Sequence, residues 1–144
     1  GAGINEAFVQ DNQSLSGKGI LRGLHFQRNP YAQGKLVRVL QGAVLDVAVD
    51  IRKESETYGQ HLSIELSADN KKMLYVPPGF AHGFLTLEDD TIFCYKCTNY
   101  YDKESEGSIL WNSPSLGINW DIDDPKLSDK DLVAKDFSDF NSPF

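Results

Sequence analysis

The stretch that decides the fold is Lys35-Leu36-Val37-Arg38-Val39-Leu40-Gln41-Gly42-Ala43-Val44-Leu45-Asp46-Val47-Ala48-Val49-Asp50-Ile51. It consists of two apolar runs on either side of Gln41-Gly42. Branched apolar residues favour strands, and a glycine between two such runs is typical of a hairpin turn. The stretch therefore predicts two antiparallel strands, over residues 35–40 and 43–51.

Further short apolar runs lie on both sides of this hairpin, separated by turn-forming residues. The segment His61-Leu62-Ser63-Ile64-Glu65-Leu66-Ser67 alternates, which predicts that Leu62, Ile64 and Leu66 point inward. Seven or more short strands in 144 residues indicate an all-β sandwich or barrel. The additional predicted strands cover residues 20–27, 61–66, 73–76, 82–87 and 91–98.

The pattern changes after Trp120, where acidic residues and a proline precede the run from Leu127 to Val133. Ser128 followed by Asp131 three positions later resembles a capping box, which predicts one short C-terminal helix packed on the sheet. Residues 137–144 have no periodicity, and we expect a loose tail there. The length suits a single domain over residues 1–144.

Charge and hydropathy exclude several classes of function. The formal net charge of −7 repels nucleic acids and anionic membrane surfaces, although a local pocket can still concentrate cations for an anionic small ligand. No run is long enough to span a membrane, and the N-terminus lacks the charged and apolar regions of a signal peptide. We therefore expect a cytoplasmic protein with neither nucleic acid nor membrane as partner.

Two cysteines, Cys94 and Cys97, lie in a predicted strand. Their spacing would send them to opposite faces, so a disulfide is not expected. A redox Cys-x-x-Cys pair needs a turn that opens a helix, and this segment instead predicts two small buried apolar residues.

Histidines supply the groups that titrate near neutral pH. His61 falls on the polar side of its strand and predicts a surface position. His25 follows Arg22-Gly23-Leu24, and a glycine inside a strand often marks a bulge. Such a bulge would turn Arg22 and His25 towards one pocket, whereas a hydrogen-bonded core histidine is the alternative.

His82 ends Pro77-Pro78-Gly79-Phe80-Ala81-His82, which has the Pro-x-Gly-x-x-His form of the second cupin motif. In metal-binding cupins this histidine is a ligand beside a His-x-His pair and a glutamate. The chain contains no His-x-His, which favours a site without metal or other cofactor.

Several blocks in order resemble the signature blocks of the dTDP-4-dehydrorhamnose 3,5-epimerase family. This resemblance spans about residues 8 to 131 and implies a cupin-like double-stranded β-helix, or jelly roll, with a short C-terminal helix. The blocks are Phe8-Val9-Gln10-Asp11-Asn12, Leu21-Arg22-Gly23-Leu24-His25-Phe26-Gln27, Gln33-Gly34-Lys35-Leu36-Val37-Arg38, Asp46-Val47-Ala48-Val49-Asp50-Ile51-Arg52, Pro78-Gly79-Phe80-Ala81-His82-Gly83-Phe84, Ser105-Glu106-Gly107-Ser108-Ile109-Leu110-Trp111-Asn112 and Leu127-Ser128-Asp129-Lys130-Asp131.

The resemblance implies epimerisation at C3 and C5 of a dTDP-4-keto-6-deoxyglucose substrate through an enolate. His25 matches the family's base, Asp131 its carboxylate partner, Tyr95 the acid and Lys35 the cation near the sugar ketone. Without the resemblance, Tyr95 would be interpreted as a core residue and Lys35 as an exposed strand residue. The positions matching those that bind the substrate are Gln10, Asn12, Arg22, His82, Glu106 and Lys130.

The sequence departs from the family pattern in two places. Family members carry a further N-terminal stretch with an Arg and a Glu that help bind the nucleotide, often in the neighbouring subunit's site, whereas this chain starts at Gly1-Ala2-Gly3. Either the sequence is a fragment or the arm is absent. Ser113 also replaces a common acidic residue.

The resemblance further implies a homodimer with a nucleotide-sugar substrate. Two alternatives remain open: a related enzyme that inverts one carbon or isomerises the ketone, and a catalytically silent cupin that binds a sugar nucleotide.

Overall fold

The computed structural model describes residues 7–144, and these form two antiparallel sheets. The four-stranded sheet has the order β1-β8-β3-β6, and the five-stranded sheet has the order β5-β4-β7-β2-β9. One short helix, α1, and two 3-10 turns, Lys103–Ser105 and Phe137–Asp139, complete the chain. The elements are β1 Gln10–Ser16, β2 Leu21–Gln27, β3 Lys35–Gln41, β4 Ala43–Asp50, β5 His61–Ser67, β6 Met73–Val76, β7 Phe80–Thr86, β8 Thr91–Cys97, β9 Glu106–Ser108 and α1 Asp129–Leu132.

The two-sheet architecture confirms the all-β, cupin-like jelly roll that the sequence predicts. The two predicted strands and the turn between them are present, with Gly42 between β3 and β4 at a φ of 83°. That positive φ is readily adopted by glycine, and a Cβ there would also clash with the Thr91 hydroxyl oxygen. The prediction that these strands form a hairpin is wrong, because β3 pairs with β8 and β6 in one sheet while β4 pairs with β5 and β7 in the other, so the turn joins the two layers.

Strand β4 is buried on both faces, which explains its nearly continuous apolar run. Val44 packs between the two sheets with Val37, Phe84 and Phe93. The opposite face carries Val47 and belongs to a second core cluster. In this second cluster the outer face of the five-stranded sheet packs against residues of the C-terminal segment, including Ile109, Leu116 and Trp120.

The start of β5 differs from the prediction. Leu66 is fully buried and Ile64 partly buried, as expected, but Leu62 is 53% exposed. Because β5 is an edge strand, its first residues have less cover than strands near the centre of the sheet. The expectation that Leu62 points into the core is therefore wrong.

Strand β1 is absent from the sequence prediction, because Gln10–Ser16 contains only one apolar residue. Its burial nevertheless alternates: Gln10, Asn12 and Ser14 are half-buried, while Asp11 and Gln13 are exposed. One face of the strand is therefore half-buried although its residues are polar, as expected for a strand that lines a polar cavity.

Residues 137–144, expected as a loose tail, pack against the protein instead. Phe137, Phe140 and Phe144 contact the larger core cluster, and the ring of Phe26 lies 5.5 Å from that of Phe140. Ser142 is buried and its hydroxyl donates to the backbone oxygen of Ile51. Three aromatic side chains without regular spacing give no periodic signal, yet they bury enough apolar surface to order the segment.

The predicted bulge in β2 is present. Arg22 pairs with Phe84 and His25 with His82 of the neighbouring strand β7, and the register shifts between these two pairs. Gly23 has a φ of 135°, and a Cβ on it would lie 2.6 Å from the Cα of Gly83. Glycine is therefore required at this position, both for the backbone conformation and for the close approach of the two strands.

We expect Gly23→Ala to lower the free energy of unfolding by about 2–4 kcal/mol, because it combines backbone strain with an unavoidable steric clash. Urea denaturation of both proteins would measure the change. Gly117→Ala is the matched control, since Gly117 has a φ of 64° but a Cβ added there would meet no atom within 4 Å. Its cost should be about 1 kcal/mol. Equal losses in the two variants would contradict the steric argument.

Candidate active site

His25 and Asp131 form a close pair although they lie 106 residues apart in the chain. His25 Nε2 is 2.5 Å from Asp131 Oδ1, and the backbone N–H of Gly23 donates to Asp131 Oδ2 over 3.3 Å. The Asp131 side chain is 1% exposed and that of His25 is 22% exposed. The carboxylate is thus held in place by the imidazole and by the bulged backbone.

The pair is electrostatically coupled. Burial opposes ionisation of Asp131, but the hydrogen bonds from His25 and Gly23 outweigh it, so the pKa of Asp131 lies below its ordinary value. An ionised carboxylate at this distance orients the imidazole and stabilises its protonated form. The arrangement suits His25 to accept a proton.

The C-terminal segment holds α1, and with it Asp131, against β2. The backbone of Lys126, before the helix, forms an isolated parallel β-bridge with Ile20, and that of Lys135, after the helix, forms one with Ile109. Ser128 caps the helix, because its hydroxyl accepts from the backbone N–H of Asp131. The predicted cap and the predicted packing of the helix on the sheet are both present.

A cavity between the two sheets brings together six of the ten predicted site residues. His25 reaches it from the five-stranded sheet, while Lys35 and Tyr95 reach it from the four-stranded sheet. The predicted residues that line this cavity are Gln10, Asn12, His25, Lys35, Tyr95 and Glu106.

Lys35 and Tyr95 are neighbours in this cavity. The Lys35 Nζ atom lies 5.5 Å from the centre of the Tyr95 ring. Burial lowers the pKa of Lys35, and Cys97, Asp46 and Glu106 partly offset this effect. Burial also raises the pKa of Tyr95, against a hydrogen bond from Asn12 that lowers it. Tyr95 is therefore a neutral phenol with a proton to donate.

Arg22 and Lys130 flank the His25–Asp131 pair on its outer side. Both line an adjoining cavity that also contains His25 and Asp131. Lys130 Nζ is 2.5 Å from Glu106 Oε1, and this ion pair connects α1 to β9. Desolvation opposes the charge on Lys130, but Glu106 outweighs it and raises the pKa of Lys130 above its ordinary value. The bulge thus places Arg22 and His25 beside one cavity, as the glycine predicts.

His82 lies deeper than the other predicted site residues. Its Nε2 is 2.6 Å from Asp46 Oδ1, and the two side chains are 6% and 0% exposed. The imidazole ring stacks on Phe93 with a centroid separation of 6.2 Å. His82 is absent from the lining of both cavities, so the structure does not bring it into the group formed by the other predicted residues.

Sequence reasoning missed several residues of the cavity wall. Gln27 was within reach of prediction, because alternation from His25 places it on the same face of β2. Its buried amide donates to the backbone oxygens of Tyr31 and Tyr100 and accepts from the N–H of Asp102. The other missed residues are Phe26, Gln33, Cys97 and Tyr101.

The two cysteines and His61 complete the side chains that the sequence analysis considered. Both cysteines are free thiols; Cys97 is buried, as predicted, whereas Cys94 is only half-buried, so the prediction of two buried residues is wrong for Cys94. His61 is exposed, as its strand pattern predicts. Within residues 7–144, no group of three or more His, Cys, Asp or Glu side chains is placed to hold a metal ion.

Comparisons with known proteins identify the relatives of this chain. A sequence model of the family described as dTDP-4-dehydrorhamnose 3,5-epimerase matches residues 1–139. The chain is 59% identical over 133 residues to the dTDP-4-dehydrorhamnose 3,5-epimerase of Salmonella typhimurium, covering 92% of this chain and 73% of that protein.

Two solved structures extend the comparison. The dTDP-6-deoxy-D-glucose-3,5-epimerase of Legionella pneumophila, in complex with dTDP-4-keto-L-rhamnose, is 51% identical with a TM-score of 0.92, covering 96% of this chain and 74% of that one. A 3'-monoepimerase of Streptomyces bikiniensis in complex with dTDP-quinovose is 36% identical with a TM-score of 0.87, covering 91% and 67% of the two chains.

Proposed function

Because the chain belongs to the dTDP-4-dehydrorhamnose 3,5-epimerase family, we propose that it inverts C3 and C5 of dTDP-4-keto-6-deoxyglucose. The product is dTDP-4-keto-rhamnose, and the reaction serves the synthesis of dTDP-rhamnose. One observation carries the mechanism: His25 and Tyr95 enter a single cavity from opposite sheets. A sugar ring bound between the sheets presents one face to each of them.

His25 is the base in this proposal. The C4 ketone acidifies the hydrogens on C3 and C5, because each resulting carbanion is delocalised as an enolate. His25 takes the proton, and the Asp131 carboxylate 2.5 Å away stabilises the imidazolium that forms. The electron pair of the broken C–H bond moves into the C3–C4 or C4–C5 bond and onto the ketone oxygen.

Lys35 stabilises the enolate oxygen. Its amino group lies in the same buried cavity, where the protonated form interacts with a developing negative charge with less screening than in water. Tyr95 then delivers its hydroxyl proton to the carbon from the opposite face, which inverts the centre. Solvent returns the proton to the phenolate and removes one from His25.

Cationic side chains of the adjoining cavity suit the diphosphate of the substrate. Arg22 and Lys130 lie beside the His25–Asp131 pair, and both retain exposed side chains that a phosphate can reach. Gln10, Asn12 and Glu106 offer polar groups to the sugar and nucleotide. Substrate contact by His82 stays a prediction of the family resemblance.

Incubation with dTDP-4-keto-6-deoxyglucose in deuterated water, followed by NMR of the sugar, tests the activity. We expect deuterium at both C3 and C5 together with inverted configuration at both centres. Deuterium and inversion at C3 alone would instead support a single-centre epimerase, for which the similarity to the monoepimerase is the specific observation. Uptake at neither carbon would support a silent sugar-nucleotide-binding cupin.

Chelation provides a second arm of the same experiment. We expect the rates to be unchanged after EDTA treatment, since the proposed steps use only side chains. A loss restored by zinc, iron or manganese would contradict the assignment of His25 as the base.

We also infer that the protein is a homodimer. The C-terminal segment covers the outer face of the five-stranded sheet, whereas apolar side chains on the outer face of the four-stranded sheet remain open. Leu15, Leu40 and Met73, on three strands of this sheet, are 66%, 46% and 51% exposed. A second copy packed on this face would bury them, and in a two-fold dimer each contact occurs twice.

We expect Met73→Lys to weaken the dimer about a hundredfold, because it places a charge among the exposed apolar side chains of the proposed interface in both subunits. Sedimentation at micromolar concentration measures the effect. Leu62→Lys is the control, since Leu62 is equally exposed but belongs to the other sheet. A wild-type monomer under these conditions, or an unchanged dimer in Met73→Lys, would contradict the proposed interface.

None of the helices within residues 7–144 is long and apolar enough to cross a membrane. A cytoplasmic location and the absence of a nucleic-acid partner stay predictions from the sequence.

A further inference from the structure

A chain of three hydrogen bonds runs from the backbone of the loop after β8 to the hydroxyl of Tyr95. The backbone N–H of Tyr101 donates to Gln10 Oε1 over 2.9 Å. Gln10 Nε2 donates to Asn12 Oδ1 over 2.7 Å, and Asn12 Nδ2 donates to the Tyr95 hydroxyl oxygen over 3.3 Å. Gln10 and Asn12 are successive inward-facing residues of β1, and Asn12 pairs directly with Tyr95 of the neighbouring strand β8.

The direction of this chain is fixed at its first member. A backbone N–H can only donate, so it binds the oxygen of the Gln10 amide and leaves the amide nitrogen pointing towards Asn12. That nitrogen in turn binds the oxygen of the Asn12 amide, which turns the Asn12 nitrogen towards Tyr95. Neither amide can be flipped without facing a donor with a donor or an acceptor with an acceptor.

The consequence concerns the proton of Tyr95. A phenol that accepts a hydrogen bond from Asn12 keeps its own O–H free to point elsewhere, and Tyr95 lines the cavity shared with His25 and Lys35. When the O–H bond breaks and the new C–H bond forms on the enolate carbon, the phenolate left behind still receives the Asn12 N–H. The hydrogen bond therefore becomes stronger as the charge develops.

We propose that Asn12, oriented by Gln10 and the backbone of Tyr101, is a positioning residue for the acid step: it directs the Tyr95 proton into the cavity and stabilises the phenolate. This inference rests on the proposed function of Tyr95 as the acid. It assigns Asn12 a role in proton delivery beyond the substrate contact that the family resemblance implies. The hydrogen bond also lowers the pKa of Tyr95, in opposition to burial, as the role requires.

The test compares Asn12→Ala, Asn12→Asp and Gln10→Ala with the control Gln13→Ala, which changes the exposed outer face of the same strand. We expect Asn12→Ala to lower the rate of inverted-product formation about tenfold to a hundredfold, the value of a hydrogen bond to a charged group. Deuterium exchange initiated by His25 should persist. Asn12→Asp should lose more, because a carboxylate cannot donate and repels the phenolate. Gln10→Ala should lose less, and Gln13→Ala should match the wild type.

Titration of Tyr95 gives a readout that does not require turnover. Tyrosine labelled with ¹³C at Cζ reports each phenol by NMR, and the Tyr95 signal is the one missing in Tyr95→Phe. We expect its pKa to rise in Asn12→Ala and to rise further in Asn12→Asp. In a Tyr95→Phe background, Asn12→Ala should cause no additional loss of product formation, since the hydroxyl through which it acts is gone.

Two results would overturn the inference. One is a higher KM in Asn12→Ala with unchanged kcat and unchanged Tyr95 titration, which would make Asn12 a binding residue alone. The other is a fully additive loss in the double variant. Failure of the proposed function is distinguishable from failure of this inference. A wild-type protein without deuterium uptake would reject the epimerase activity, but the titration would still report whether Asn12 contacts Tyr95. If Asn12→Ala does not fold, the same measurements on Gln10→Ala and Asn12→Asp test the inference.

Discussion

Replacing His25 with alanine should abolish deuterium exchange and product formation together, because no enolate forms without removal of the carbon-bound proton. Loss of a general base costs about 10²- to 10⁴-fold in rate. The expectation rests on the position of His25 in the cavity and on its 2.5 Å contact with the buried Asp131. NMR in deuterated water measures exchange and inversion in the same sample.

Asp131→Asn provides a graded comparison for this result. The amide preserves the size of the side chain but removes the charge that stabilises the imidazolium, so the same step should slow with the fold intact. His61→Ala is the matched control, since His61 is exposed on β5 and belongs to neither cavity. Exchange at the wild-type rate in His25→Ala would transfer the base role to another group and reject the mechanism.

Removing the Tyr95 hydroxyl should separate the two halves of the reaction. Tyr95→Phe keeps the ring, which packs 5.8 Å from that of Phe93, and deletes only the proposed proton donor. Exchange at the first carbon should persist because His25 is intact, while inverted product should fall about 10²- to 10⁴-fold, the usual contribution of a general acid. Comparing deuterium uptake with product over time distinguishes the two effects.

Tyr101 supplies the comparison for this variant, because it lines the same cavity and also carries a phenol. Tyr101→Phe should retain the acid step if Tyr95 is the donor. Normal inversion of both centres by Tyr95→Phe would instead leave Tyr95 as a core residue. A loss of inversion in Tyr101→Phe alone would pass the acid role to Tyr101, and a loss in neither variant would indicate water.

Local patterns in the sequence determined much of the architecture. The runs on either side of Gly42 predicted β3 and β4, because branched apolar residues in short runs pack on a pleated surface. The glycine in β2 predicted a bulge, and Ser128 predicted the start of α1. Each of these features depends on residues only a few positions apart, so each leaves a signal in the sequence itself.

The site residues were predicted mainly from the resemblance of successive sequence blocks to a family, and less from the chemistry of single residues. His25 stood out because a glycine precedes it in a strand, but Tyr95 and Lys35 alone would have been assigned to the core and to an exposed strand. Only the family resemblance selected them. The structure places both in one cavity with His25, which is support that neither residue's local sequence could supply.

What the tertiary structure alone decided concerns contacts between distant residues. Polar β1 becomes a strand because β8 pairs with it, and the C-terminal aromatic residues become ordered because the core accepts them. The burial of His82 against Asp46 and the direction of the hydrogen bonds from Gln10 to Tyr95 depend on strand register. A shift of one residue would turn every side chain of a strand to its other face, and that register is fixed by the whole packed sheet rather than by any segment of it.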